Sequence, residues 1–133
     1  MVIAMERLNV MIVDDSSVVL RVLSTSLTNQ GHKVVRTATT GAEAIIAYGA
    51  CNPDVVIMDI TMPDMDGIEA TEKIVAKYPD ARIIVATSHA EKSVILRARS
   101  AGARSYLLKP INPERLRTAL EMVMRADLHI LNT

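Results

Sequence analysis

"VVIMDITMPDMDGIEA", Val55 to Ala70, decides how the rest of the chain is read. Val55, Val56, Ile57 and Met58 form an apolar run without alternation, which fits a strand buried on both faces of a parallel sheet. The run then meets Asp59, and a carboxylate there must stand at the strand tip or find charged or hydrogen-bonding company. Beyond it "TMPDMDG" supplies loop residues, and Ile68, Thr71, Val75 and Tyr78 recur at helical spacing. The stretch therefore reads as strand, carboxylate, loop and helix.

The same grammar extends in both directions. Short apolar runs lie at Leu8 to Val13, Lys33 to Ala38, Asp54 to Met58, Arg82 to Thr87 and Arg104 to Leu108. Helical spacing fills the gaps at Val19, Leu23 and Leu27 and at Leu116, Leu120 and Val123, with weaker patterns over Thr40 to Gly49 and Glu91 to Ala101. Thr40 with Glu43 has the spacing of a capping box, and Asn112 followed by Pro113 looks like a helix start. Gly31 and Gly102 stand where helices should stop. Five βα units imply an α/β fold, a parallel sheet with helices on both faces and right-handed crossovers. No linker composition interrupts residues 1–133, so one domain is expected.

The chain has 133 residues, enough to bury roughly two-thirds of its unfolded surface. Half of the residues are apolar, yet there is no Trp or Phe and only three Tyr, so aliphatic side chains and eight Met must fill the interior. Fifteen basic residues balance fifteen acidic ones, which removes any global drive toward nucleic acid or an anionic membrane. Cys51 is the single cysteine and is read as a passive small residue, not a nucleophile. No apolar run approaches the length of a membrane span, and no signal-peptide pattern opens the chain, so the expected compartment is the cytoplasm.

In open parallel sheets, sites form beyond the carboxyl ends of the strands. Here those ends carry Asp14 and Asp15, Ala38 to Gly41, Asp59, Thr87 and Ser88, and Lys109. Two carboxylates about 5 Å apart repel by about 3 kcal/mol at an effective dielectric near 20, so three together need a cation. Oxygen ligands without His or Cys suit Mg²⁺ (or Mn²⁺), which pairs carboxylates with waters and a phosphate oxygen. Lys109 adds positive charge and Thr87 a hydroxyl, the groups that neutralise and orient a phosphoryl group, and Asp59 becomes a nucleophile able to hold an acyl phosphate. Taken singly, "DDSS" reads as a helix cap, Lys109 as a solvated lysine and Thr87 as a loop hydroxyl. Their conjunction on one edge favours the phosphoryl site. Asp64 and Asp66 read as solvated or capping residues, and His89 as solvent-facing beside the site.

"VDDSS", "MDITMPDMDG", "ATS" and "YLLKP" together resemble the receiver domain of two-component response regulators, over about Leu8 to Arg125. The resemblance implies the flavodoxin-like strand order 2-1-3-4-5, and in sheets of that order the site lies where the strand order reverses. It implies that Asp59 accepts phosphate from a sensor histidine kinase or a small phosphodonor. Asp14, Asp15, Asp59 and the backbone carbonyl of Thr61 would hold Mg²⁺; Thr87 and Ser88 would face the phosphoryl group with Lys109, and Tyr106 would follow Thr87. Thr61 and His89 match positions that tune hydrolysis, and the Lys109 to Pro110 bond is expected to be cis. Ile95, Arg99, Tyr106, Pro113 and Arg117, on the fourth helix, fifth strand and fifth helix, are expected to present a docking face for an effector.

Rival functions are weighed on the same residues. A phosphatase of the haloacid-dehalogenase type needs a second Asp two residues after the nucleophile, where this chain has Thr61. No helix-turn-helix follows Ala126, only "DLHILNT", and neither GxGxxG nor a Walker A loop is present, so direct nucleic-acid and nucleotide binding are not expected. The expectation is a stand-alone regulator, monomeric or weakly dimeric on phosphorylation, that switches without turning over a substrate. An input domain excised from a larger regulator, or a relay passing phosphate to a histidine phosphotransfer protein, is the alternative.

Overall fold

The computed structural model describes residues 6–89 and 91–131, with side chains as far as Arg125 in the last helix. Strands and helices alternate as β1 (Asn9–Val13), α1 (Ser17–Asn29), β2 (Lys33–Ala38), α2 (Gly41–Cys51), β3 (Val55–Asp59), α3 (Gly67–Lys77), β4 (Ile83–Thr87), α4 (Lys92–Ser100), β5 (Ser105–Leu108) and α5 (Pro113–Leu131). All four strand pairings are parallel, and the order across the sheet is β2-β1-β3-β4-β5. The expected order is the observed one.

Alternate residues of each central strand enter different cores, because successive side chains leave opposite faces of a strand. Met11, Val13, Val56, Met58, Ile83 and Val85 pack with Ala44, Ala47, Ile68, Ile74 and Ala98 of α2, α3 and α4. Val10, Ile12, Val55, Ile57, Ile84 and Ala86 pack with Leu23, Leu27, Leu116, Leu120 and Val123 of α1 and α5. With both faces covered, β3 and β4 are buried at every residue, which is why their sequences show no alternation. Tyr48 and Tyr78 are the aromatic exception, with ring centroids 4.9 Å apart. Among the described residues, no helix is long and apolar enough to cross a membrane.

Helix ends follow local chemistry. Gly31 and Gly102 have φ of 91° and 109°, which an L side chain rarely adopts. Gly31 N–H donates to Thr28 and His32 N–H to Leu27; Gly102 N–H donates to Arg99 and Ala103 N–H to Ala98. Both helices thus close with the paired bonds of a Schellman motif. Thr40 caps α2 by accepting the Glu43 N–H at 3.1 Å. The Glu43 carboxylate returns to Thr39, 3.5 Å from its N and 3.4 Å from its Oγ1, one residue earlier than a capping box requires. Asn112 Oδ1 accepts from Glu114 N–H at 2.7 Å and Arg115 N–H at 3.3 Å, so α5 starts at Pro113.

Four strands begin one residue later than their apolar runs, β1 at Asn9, β3 at Val55, β4 at Ile83 and β5 at Ser105. Leu8 gives its N–H to His32 Nδ1 at 3.1 Å, so β1 begins at Asn9. Arg36, not Val35, stands opposite Met11, which leaves Val35 as an extra residue in the edge strand β2. Asp59 is the last residue within β3, opposite Ala86, and does not follow the strand. The carboxylate is therefore held by a sheet ladder.

Candidate functional site

The parallel register sends all carboxyl ends of the strands to one edge, where Asp14, Asp15, Asp59 and Lys109 meet. Asp14, just past β1, is tied by its N–H to Ala38 O at 3.0 Å. Its Oδ1 accepts the Ser16 N–H at 2.9 Å, while the Ser16 hydroxyl caps α1 through the Val19 N–H at 3.3 Å. In "DDSS" the capping oxygen thus belongs to Ser16. Asp14 Oδ2 stays available for the site.

Asp14 and Asp59 are 2% and 4% exposed, Asp15 is exposed, and one oxygen from each carboxylate lies within 4.8 Å of the others. Lys109, immediately after β5, places Nζ 2.8 Å from Asp14 Oδ2 and 2.9 Å from Asp59 Oδ1. Burial holds the Asp59 carboxyl above the usual carboxylate range, with the like charge of Asp14 adding to it, against the opposing pull of Lys109 and the Thr61 N–H. Burial alone would lower the Lys109 ammonium, but its bonds to Asp14 and Asp59 hold it above its ordinary value. One ammonium does not satisfy this cluster. Three oxygen donors with no His or Cys among them suit a hard divalent cation.

The loops around the carboxylates are knitted by backbone bonds. Ile60 N–H donates to Ala86 O at 3.0 Å and Gly67 N–H to Ile60 O at 2.8 Å, folding the β3–α3 loop back on the strand that precedes it. Asp66 caps α3 through the Glu69 N–H at 2.8 Å, and Asp64 is exposed at a left-handed φ of 68°. Neither joins the carboxylate group, as their sequence reading expected. Thr87 is buried at the end of β4, and its Oγ1 accepts the His89 N–H at 3.0 Å and lies 3.4 Å from the His89 carbonyl. Ser88, His89 and Thr61 are exposed. Lys109 N–H reaches Thr87 O at 2.9 Å, and the Lys109–Pro110 peptide is cis.

Tyr106 lies elsewhere. It is 45% exposed on β5 and lines a groove of about 280 Å³ with Ile95, Arg99 and Met122. A second cleft, about 380 Å³ between Tyr48, Asp54, Tyr78 and Arg82, opens near the amino ends of β3 and β4 and shares no residue with the carboxylate cluster. Burial pushes the half-buried Cys51 thiol up, against any nucleophilic role. Two contributors escaped the sequence reading: Ser16, hidden behind the adjacent acids, and Gly67, whose only signal was an Asp-Gly pair ahead of a helical pattern.

Chemically, the edge offers a buried carboxylate at the end of a strand, a neighbouring ammonium, two further carboxylates and a hydroxyl. The family model described as "Response regulator receiver domain" matches residues 10–121. The chain is 39% identical to "Chemotaxis protein CheY" of Thermotoga maritima over 116 residues, 87% of this chain and 97% of that protein. It is 40% identical over 110 residues to "Uncharacterized transcriptional regulatory protein YhcZ" of Bacillus subtilis, 82% of this chain and 51% of that protein. A chain of the crystal structure of the CheX-CheY-BeF3-Mg+2 complex from Borrelia burgdorferi superposes with a TM-score of 0.84 at 32% identity, covering 87% of this chain and 88% of that one.

Proposed function

The chain belongs to the response regulator receiver domain family, as a phosphoacceptor response regulator of two-component signalling, and from that premise we propose that Asp59 is its acceptor. The observation that carries the assignment is the shared ammonium: Lys109 bonds Asp59 and Asp14 at 2.9 and 2.8 Å, at the buried end of a strand. An Asp59 carboxylate oxygen attacks phosphorus of a kinase phosphohistidine or a small acyl phosphate. A P–O bond forms to Asp59, the bond to the donor nitrogen or oxygen breaks, and the donor leaves with the electron pair. Water attacking phosphorus later returns the carboxylate and inorganic phosphate, so the chain is a self-resetting switch without a turnover substrate.

Asp14, Asp15, Asp59 and the Thr61 carbonyl would hold Mg²⁺ (or Mn²⁺), which supplies charge neutralisation at the phosphoryl oxygens. Lys109 orients and neutralises the phosphoryl group from the other side. Thr87 turns its hydroxyl from the His89 backbone toward a phosphoryl oxygen, with Ser88 beside it and Tyr106 following, and exposed Thr61 and His89 govern access of water. A charge-assisted bond contributes about 1.5 to 3 kcal/mol and a neutral one about 1. Together they shift a two-state equilibrium by about 10² to 10³, short of the roughly 10⁴ for a full inversion. An effector bound to the active state supplies the remainder.

The docking surface is the α4-β5-α5 face, where Ile95 is half-buried and Arg99, Tyr106, Pro113 and Arg117 are exposed. A sensor histidine kinase upstream and an effector or histidine phosphotransfer protein downstream, met by this chain in the cytoplasm, complete the reading. A second reading, the same switch as the input part of a larger regulator, draws on the half-length match to the B. subtilis regulator.

Intact mass after incubation with acetyl phosphate and Mg²⁺ tests the acceptor. The expected result is one added phosphoryl group, absent with EDTA and absent in Asp59→Asn. A phosphoryl group retained in Asp59→Asn would move the acceptor elsewhere.

A further inference from the structure

We propose that Gly67 is a positioning residue for Asp59, an inference that rests on Asp59 being the phosphoacceptor. Gly67 opens α3 directly behind the end of β3. A Cβ at 67 would fall on the Asp59 carbonyl oxygen well inside van der Waals contact, 2.8 Å from the Asp59 carbonyl carbon and 3.0 Å from Ile60 Cα. All three are backbone atoms. No rotamer change relieves such a clash, so either α3 retreats or Asp59 moves.

Two anchors resist the retreat of α3. Gly67 N–H is bonded to Ile60 O at 2.8 Å, and Ile68, Ala70 and Ile74 of α3 are buried in the core beneath it. With α3 anchored, part of the displacement falls on Asp59 despite its pairing with Ala86, and its carboxylate must stay within hydrogen-bond reach of Lys109 and beside Asp14 and Asp15. The position requires glycine for the absence of a side chain, since its backbone lies outside the left-handed region that Gly31 and Gly102 occupy. Gly67 thus sets the depth of the acceptor in the site without touching a phosphoryl group.

Gly102 provides a matched control. A Cβ there meets Val75 at 2.9 Å and is strained at φ 109°, yet Gly102 precedes β5 at the sheet edge opposite the carboxylates. Gly67→Ala and Gly102→Ala are compared at a temperature where each is folded by circular dichroism, reading the Mg²⁺ dissociation constant and the rate of labelling by acetyl phosphate. Gly67→Ala is expected to weaken Mg²⁺ binding and slow labelling by about tenfold or more, because small misplacements of reacting groups carry large penalties. Gly102→Ala is expected to stay within about twofold of the native chain on both readouts. Labelling of the native chain at Asp59 tests the underlying reading separately. Native-like Mg²⁺ binding and labelling in Gly67→Ala, or equal losses in both variants, overturn the assignment. If neither Gly67→Ala nor Gly67→Ser folds even with trimethylamine oxide, the glycine is a requirement of the whole fold and the assignment is likewise overturned.

Discussion

Because Lys109 Nζ bonds both Asp14 and Asp59, its removal would leave two buried carboxylates facing each other with nothing between them. Breaking such a pair costs about 3 kcal/mol, so Lys109→Ala should lower the unfolding midpoint sharply in EDTA, and Mg²⁺ should restore much of the loss. Urea titrations with and without Mg²⁺ check this; equal losses in both conditions would show that the lysine matters for packing alone. At this scale the sequence was informative about membership and silent about geometry. That Asp14, Asp15, Asp59, Thr87 and Lys109 share an edge follows from strand ends. Which two of three carboxylates the ammonium selects, and that the Thr87 hydroxyl is engaged by the His89 backbone, depend on rotamers and loop paths that no spacing rule encodes. Gly67 escaped for a related reason: its clash is with residues seven and eight positions earlier, brought close only when the loop closes.

Elements were more legible than residues, since each carries several concordant signals. β2 spans the residues its apolar run proposed, and α1 and α4 stop at the glycines that marked their ends. Departures arise where a side chain intercepts the backbone, as His32 does at Leu8 and Asp54 does by accepting the Asn9 N–H at 2.7 Å. The α2 start can be tested in isolation from the chemistry. Thr40→Ala removes the oxygen that accepts the Glu43 N–H and should cost about 1 kcal/mol, read as a lower urea midpoint at unchanged slope. Phosphoryl labelling should persist. A neutral substitution would mean that the Thr39–Glu43 contacts alone hold the helix start.

For the whole molecule, buried His32 couples stability to pH. Burial holds its imidazole below the ordinary value, and Nδ1 accepts the Leu8 N–H, so the folded chain favours the neutral ring. The unfolded chain takes up a proton near pH 6.5 while the folded chain resists it. This contribution to stability is therefore full above about pH 6.5 and is lost as pH falls through the lowered folded value. Thermal unfolding between pH 7.5 and 5 should show a steeper decline for the native chain than for His32→Gln; parallel curves would assign the decline to other groups. The parallel sheet covered on both faces was legible because alternating strands and helices with right-handed crossovers impose it, whereas the strand order β2-β1-β3-β4-β5 was expected only from the family resemblance.

The sheet register also divides the molecule's labour. At the edge where the strands begin, glycine-closed turns and a histidine latch fix the chain by backbone bonds. At the other edge, where the strands end, the side chains of Thr61, Ser88 and His89 are exposed. Such a protein resembles a tool with a standard handle and exchangeable jaws: on the proposed reading, substitutions at the working edge would change how long a phosphoryl group lasts while the bonds that fold the chain are left undisturbed.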